Sequence, residues 1–380
     1  MIVGIIGGGQ LARMLALAGI PLGLKFIFLD PAPDACAAVL GEHLCAAYDD
    51  RAALAYLAKT ADCVSFEFEN VPADILLSEL AGKVPLFPAP SALALAQDRL
   101  QEKQLLQSLG IPIVAFEAVD SRADLERAVA KIGFPAVLKT RTLGYDGKGQ
   151  AVLRSPGDLN RSWQQLGGAA LVLEGFVAFE SEVSIIAVRG RDGQTAFYPL
   201  AENTHHDGIL HYSQSRPDHP LQALAEDYAR YLLERLDYVG VLAVEYFVVG
   251  GVLLVNEFAP RVHNSGHWTI EGARTSQFEN HLRSILGLPL GSVAAVGYSG
   301  MVNFIGELPV MDQVLALPGV HLHVYGKQSR AGRKVGHATL CVADELARQS
   351  GLKELFALAQ GSAKPSFPGR NDRQAVPESS

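Results

Sequence analysis

Residues 241–268 read VLAVEYFVVGGVLLVNEFAPRVHNSGHW, and the reading of the fold depends on how this stretch is laid out. Two runs rich in Val, Leu and Phe flank Gly250-Gly251, the pattern of a β-hairpin closed by a tight turn. Yet Glu245 sits inside the first run and Asn256-Glu257 inside the second, with Arg261, His263 and Asn264 close behind. An ionised carboxylate among apolar side chains requires a cation. Two carboxylates supply oxygen donors that suit magnesium when substrate phosphates complete the set. The register separates the readings. A two-residue loop sets Glu245 opposite Asn256 and sends Glu257 to the other face, whereas a three-residue loop or a bulge pairs Glu245 with Glu257 directly. Only the second arrangement makes a metal site. Glutamates on a solvated hairpin edge are the alternative, and both stay open at this level.

The hairpin belongs to a chain of 380 residues, 49% hydrophobic and 19% charged, which implies two or three domains with substantial cores. No apolar run is long enough to span a membrane, and IVGII follows Met1 without the basic and extended apolar regions of a secretory signal. Cys36, Cys45, Cys63 and Cys341 form no CxxC pair, so a reducing cytoplasm is expected. A net charge of −8 argues against a nucleic-acid binder, and any phosphate site must therefore be built locally.

The N-terminal ninety or so residues alternate strand and helix: IVGIIGGG, LARMLALAGI, KFIFLD, then VSFEFEN and VPLFP as further strands. This is a parallel α/β unit. After Pro88-Ala89-Pro90 a helix begins with Asp98 as N-cap and Gln101 as capping-box partner, and stops at Gly110 before Pro112. A mixed α/β lobe follows. The polar interval ENTHHDGILHYSQSRPDHP is expected to be a loop, and ALAEDYARYLLERLDY an amphipathic helix. His205, His206 and His211 within that interval lack the spacing of a closed zinc site. From about Gly297 the chain is again β-rich, and the tail from Ser362 has the composition of a disordered segment.

Two glycine loops bear on function. Gly7-Gly8-Gly9-Gln10-Leu11-Ala12 fits G-x-G-x-x-A between a strand and a helix, with Asp30 ending the next strand. That pattern admits a dinucleotide, another phosphate or substrate, or a plain tight turn, because its N–H groups suit any anion. In the second loop Lys139 precedes TRTLGYDGKGQ, where Gly144, Gly147 and Gly149 surround Tyr145, Asp146 and Lys148. Successive N–H groups there can wrap polyphosphate oxygens while the lysines neutralise charge, although the Walker A spacing is absent. Further along, Lys327, Arg330, Arg333 and Lys334 form the densest basic cluster of an acidic chain, as a phosphate dianion would demand.

Together, GGGQLARM, SFEFEN, DRLQEKQLL, KTRTLGYDGKGQ, LVLEGFV, NTHHDGIL and NEFAPRVHNSGHWT resemble the ATP-grasp superfamily, and within it the 5-(carboxyamino)imidazole ribonucleotide synthetase family of purine biosynthesis. The resemblance runs to about residue 345; Ala12 stands where that family commonly has Gly. It implies an α/β (α+β overall) ATP-grasp fold: a Rossmann-like domain over 1–98, an ATP-grasp domain over 99–290 with lobes near 113–178 and 179–290, a β-rich domain over 296–361, and a tail over 362–380. It also implies ATP bound by Arg99, Lys139, Gly144, Tyr145, Asp146, Gly147, Lys148, Gly149, Gln150, Glu174, Gly175, Phe176, Val177, Glu182, His205, Asn256 and Glu257, with magnesium on Glu245 and Glu257. The ribotide and bicarbonate would fall to Gln10, Leu11, Glu67, Arg261, His263, Asn264, Lys327, Arg333 and Lys334, with Lys148, Asp146, Arg261 and Tyr145 nearest the chemistry. The expected reaction carboxylates 5-aminoimidazole ribonucleotide with bicarbonate and ATP in a cytoplasmic homodimer. A formate-dependent sister ligase, or a nicotinamide-dependent oxidoreductase built on the first glycine turn, remains the alternative.

Overall fold

A computed structural model describes residues 1–144 and 148–361, so the expectations for Tyr145, Asp146, Gly147 and the tail 362–380 lie outside the described residues. The N-terminal sheet is wholly parallel, ordered β3-β2-β1-β4, from β1 (Ile2–Ile6), β2 (Lys25–Leu29), β3 (Glu42–Leu44) and β4 (Cys63–Phe66). Its central strands are continuously apolar because both faces are covered. Helix Gln10–Gly19 packs on helix Gln277–Ile285 of the next unit, and one core runs through Val3, Leu15, Trp268, Phe278 and Leu282. The glycine turn before Gln10 is thereby fixed against the hairpin side of the molecule.

Two strand expectations are corrected here. VSFEFEN is a strand only to Phe66, so Glu67 and Glu69 do not share a strand face. VPLFP forms a single parallel bridge, Val64 to Leu86, because Pro85 and Pro88 bring no N–H to a ladder.

The small lobe is an antiparallel sheet ordered β5-β8-β6-β7, from β5 (Phe116–Val119), β6 (Ala136–Thr140), β7 (Gln150–Leu153) and β8 (Leu171–Gly175). The large sheet has nine strands: β9 (Ser181–Arg189), β10 (Thr195–Phe197), β11 (Ala201–His206), β12 (Ile209–Ser215), β13 (Gly240–Val249), β14 (Val252–Ala259), β15 (Tyr298–Ile305), β16 (Val320–Val324) and β17 (Lys334–Val342). Its order is β14-β13-β9-β11-β12-β15-β17-β16, with β10 beside β9. The C-terminal strands thus continue the large-lobe sheet through the β12–β15 pairing.

The expected polar loop is the β11–β12 hairpin, turned at Asp207 (φ 50) and Gly208 (φ 76). Asn203, Thr204, Ser213 and Ser215 are its buried polar residues, and they reach to the neighbouring strands: Asn203 donates to the Ser184 hydroxyl of β9 at 2.9 Å and Ser215 to the Ser299 carbonyl of β15 at 3.2 Å. Asp-Gly is itself a hairpin-turn signal that the polar composition masks. Helix Glu345–Ala359, capped by Asp344, packs on β15 and β17 and has no counterpart in the sequence expectation. Gly351 interrupts its helical pattern, and the close fit explains that glycine: a Cβ there would lie 2.8 Å from the Leu340 side chain.

Candidate active site

The hairpin answers the register question with both devices at once. Gly250 (φ 56) and Gly251 (φ 77) form a two-residue turn between paired Val249 and Val252, and a bulge at Glu245/Tyr246 then shifts the ladder. Tyr246 pairs with Val255 while Glu245 pairs with Glu257, which leaves Asn256 as the extra residue. Along β14 the alternation of buried and half-buried residues breaks there, with Asn256 and Glu257 both half-buried. The two carboxylates accordingly lie side by side.

Their charges are unequally compensated. Arg99 donates to Glu257 Oε2 at 2.8 Å and to the Gly144 carbonyl at 3.1 Å. Burial alone would push the Glu257 carboxyl up, but Arg99, Lys139 and Lys103 hold it below its ordinary range. Glu245 is raised to about 7, first by burial and further by Glu257 and Glu182, against the pull of His205 and Arg261. His263 Nε2 lies 3.4 Å from Glu245, but burial and Arg261 keep that imidazole neutral, so the contact is not an ion pair. Of these adjacent carboxylates only Glu257 has a bonded cation, so the pair is an oxygen-donor set that fits a divalent hard cation. Among the described residues no group of three or more His, Cys, Asp or Glu side chains is placed to hold a metal. A cation on Glu245 and Glu257 would therefore draw its remaining donors from bound phosphate.

The other wall is helix Arg99–Ser108, whose N-cap Asp98 accepts from Leu100 N at 2.8 Å and Gln101 N at 3.2 Å. The reciprocal half of the expected capping box is replaced: Gln101 donates to Asp98 Oδ2 at 3.4 Å, side chain to side chain, instead of accepting from the Asp98 backbone N–H. Arg99, Glu102 and Lys103 stand three and four residues apart and so share a face. Glu102 accepts from Phe258 N at 2.6 Å, tying the helix to β14 beside Glu257; burial and Glu257 raise its carboxyl to about 8. Lys103 lies 3.2 Å from Glu174, and Lys139, at the end of β6, donates to the other oxygen of Glu174 at 2.8 Å. Sequence reasoning missed Glu102 and Lys103. The available signal was a pair of charges on the same helix face as Leu106.

Gln150 opens β7 across from Lys139, so Lys148 and Gly149 lie in the β6–β7 connection with Gly144. Phe176 and Val177 lead out of β8 after Gly175. Glu182 of β9 and Nδ1 of His205 of β11 meet at 2.6 Å, and this carboxylate raises the imidazole against its burial.

On the opposite side, Arg261 pairs with Glu69 at 2.9 Å, and Asn264 exchanges amide hydrogen bonds with buried Asn303 at 3.2 and 2.6 Å. Lys327 donates to the Gln10 side chain, and Lys334 acts electrostatically on both His205 and His263. Arg333 donates to the Gln328 carbonyl at 3.3 Å within the basic segment. Leu11 is only 6% exposed, so its side chain belongs to the core and its backbone alone can face a ligand.

The first glycine turn already holds its anions. Gly8 N donates to Asp30 at 2.7 Å, Gly9 N to Glu67 Oε1 at 2.7 Å, and Ala12 N to Glu67 Oε2 at 3.3 Å. A pyrophosphate would have to displace a pinned, buried carboxylate, which removes the basis for the nicotinamide reading.

The chain is similar to known proteins over most of its length. Family models match for the ribonucleotide synthetase preATP-grasp domain over residues 1–97, the ATP-grasp domain over 104–278 and the phosphoribosylaminoimidazole carboxylase C-terminal domain over 299–349. The chain is 59% identical over 360 residues to N5-carboxyaminoimidazole ribonucleotide synthase of Pseudomonas aeruginosa, covering 95% of this chain and 100% of that protein. The crystal structure of N5-carboxyaminoimidazole ribonucleotide synthetase from Thermus thermophilus is similar at TM-score 0.90 and 52% identity, over 96% of this chain and 100% of that one. The Aspergillus clavatus synthase in complex with ADP and 5-aminoimidazole ribonucleotide is similar at TM-score 0.88 and 30% identity, over 95% and 99%.

Proposed function

Because the chain belongs to the N5-carboxyaminoimidazole ribonucleotide synthase family, we propose that it joins 5-aminoimidazole ribonucleotide to bicarbonate at the expense of ATP. The observation that carries this reading is the Glu245–Glu257 pairing opposite Arg99, Lys139 and Lys103, an anionic pair facing a cationic wall. ATP lies between the lobes. Arg99 and Lys139 take its phosphates, Gly144 to Gln150 cover them, Glu174 to Val177 border the adenine, and Glu182 and His205 stand at the ribose. Magnesium on Glu245 and Glu257, with Asn256 assisting, supplies charge neutralisation on the phosphates when bound.

Bicarbonate is a poor electrophile. Its oxygen attacks the γ-phosphorus, the bond to the β-phosphate oxygen breaks, and carboxyphosphate and ADP result. The exocyclic amine of the ribotide then attacks the carboxyl carbon, phosphate leaves, and the amine loses a proton. Arg261, paired with Glu69, and His263 and Asn264 orient the bicarbonate and imidazole. The cations Lys327, Arg333 and Lys334 receive the ribotide phosphate, with Gln10, Glu67 and the backbone at Leu11 close by. Tyr145, Asp146 and Lys148 close over the intermediate and exclude water.

The enzyme would work in the cytoplasm as a homodimer, a reading supported by four unpaired cysteines and by exposed Leu17, Ile20 and Leu22 on one N-terminal surface. The deciding experiment measures ADP release while the ribotide, bicarbonate and magnesium are omitted in turn. Release that is indifferent to the ribotide would sink the proposal.

A further inference from the structure

Lys103 is the most deeply buried cation at the site, its side chain 1% exposed, and a lysine is almost never buried so fully unless paired. It does not reach the cleft. Its Nζ lies 3.2 Å from Glu174 Oε1, close enough for an ion pair but without hydrogen-bond alignment, and it donates to the Asn256 carbonyl at 3.5 Å. The other oxygen of Glu174 accepts from Lys139 at 2.8 Å. One carboxylate is therefore shared between two ammonium groups, and the trio carries a net charge of +1.

We propose that Lys103 is a positioning residue: by sharing Glu174 it leaves Lys139 a net positive charge to offer the nucleotide phosphates. This rests on the assignment of Lys139 to those phosphates. A Lys139–Glu174 pair alone would be neutral, and its carboxylate, 2.8 Å from the ammonium, would compete with an incoming phosphate for the same protons. Lys103 supplies the second counter-charge from a helix that never touches the nucleotide at that position. Its bond to the Asn256 carbonyl also links the trio to the bulge that carries Glu257. The same sharing explains why Glu174, which burial would push up, is held down to about 2 by Lys139 and Lys103 together.

The test is calorimetric titration of the full-length protein with ADP and magnesium. Lys103→Met should weaken ADP about tenfold and raise KM for ATP while leaving KM for the ribotide unchanged. The double variant Lys103→Met/Glu174→Gln, which restores a lone Lys139 charge, should bind ADP more tightly than Lys103→Met. A merely structural lysine predicts the reverse, a second defect adding to the first. Should Lys103→Met not fold, Glu174→Gln compared with the double variant reads the same coupling: with the shared carboxylate gone the two should bind ADP nearly alike, and a further large loss in the double variant would overturn the role. Wild-type affinity in Lys103→Met would overturn it as well. Absence of ADP binding by the unaltered protein would instead overturn the nucleotide reading on which it stands.

Discussion

Arg99 and Glu257 meet at 2.8 Å across the mouth of the cleft, and the same guanidinium donates to the Gly144 carbonyl at 3.1 Å. In the ligand-free protein this arginine stands where positive charge will be needed, compensating a carboxylate and anchoring the start of the glycine loop. Replacing it with Met removes a charge-assisted bond of about 1.5–3 kcal/mol. Steady-state kinetics should show KM for ATP raised roughly ten- to a hundredfold, with KM for the ribotide little changed. A variant with unaltered KM for ATP would show that Arg99 only braces the fold.

Above pH 7, where it is charged, Glu245 gains nothing in stability from its position, since burial and Glu257 both oppose that charge. Glu245→Gln should lower ADP formation by about 100-fold or more. Its melting temperature at pH 8 without ligand should equal or exceed that of the parent. A clear drop in that temperature would mean the carboxylate has a structural partner beyond those described.

Three carboxyls and a set of buried histidines shape the pH dependence of unfolding. Glu102 and Glu245 are raised from an ordinary 4.5 to about 8 and about 7, so they bind protons more tightly folded than unfolded. Their contribution is complete below 4.5 and is lost as pH rises through 7 to 8. Glu174, lowered from 4.5 to about 2, contributes above 4.5 and loses that contribution as pH falls toward 2. His211, His263, His267, His281 and His337, held below their ordinary 6.5 by burial, act in the opposite sense and make stability rise with pH up to about 6.5. Denaturant titrations without ligand should therefore show the falling limb of the two glutamates from about pH 7 to 8, and magnesium with ATP should flatten it.

Lys148→Ala should leave ATP hydrolysis less affected than product formation, because a loop that covers carboxyphosphate protects it from water. Parallel assays of ADP and of carboxylated product decide the matter. An equal fall in both would remove the shielding role from the loop.

Much of this was legible before any coordinates. The Gly-Gly turn, the helix cap at Asp98 and the α/β alternation of the N-terminal unit obey local rules, and the structure follows them. What escaped depended on distant partners. Glu67 and Glu69 resemble a wet strand face until the chain bends after Phe66, bringing one to the Gly9 amide and the other to Arg261. Glu102 and Lys103 resemble surface charges on a helix until β14 and β8 close over them. The β11–β12 hairpin carries its polar residues inside a wide sheet, where each of its strands has a further strand beside it, a condition no single strand reveals.

Glu67 offers a stability test of its own. Glu67→Ala leaves the Gly9 and Ala12 amides without their acceptor, a loss of about 1–3 kcal/mol, and should lower the melting temperature by several degrees. Glu67→Gln keeps one acceptor oxygen and should fall between. Indistinguishable melting curves for all three proteins would mean that water serves the turn equally well.

The bulge beside Tyr246 has a further effect, on association rather than catalysis. β14 is the terminal strand of the nine-stranded sheet, and its only other strand contact among the described residues is the parallel bridge from Ile113 to Val255. A long, flat, valine-rich border of that kind invites a second chain to add on and propagate into aggregates. The irregularity at Asn256 interrupts that border just where helix Arg99–Ser108 and the chain before Ile113 take up its groups, the Asn256 carbonyl accepting from Lys103, the Phe258 N–H donating to Glu102 and the Val255 N–H to the Pro112 carbonyl. The same misfit that brings two glutamates together also leaves the border a poor template for strand addition.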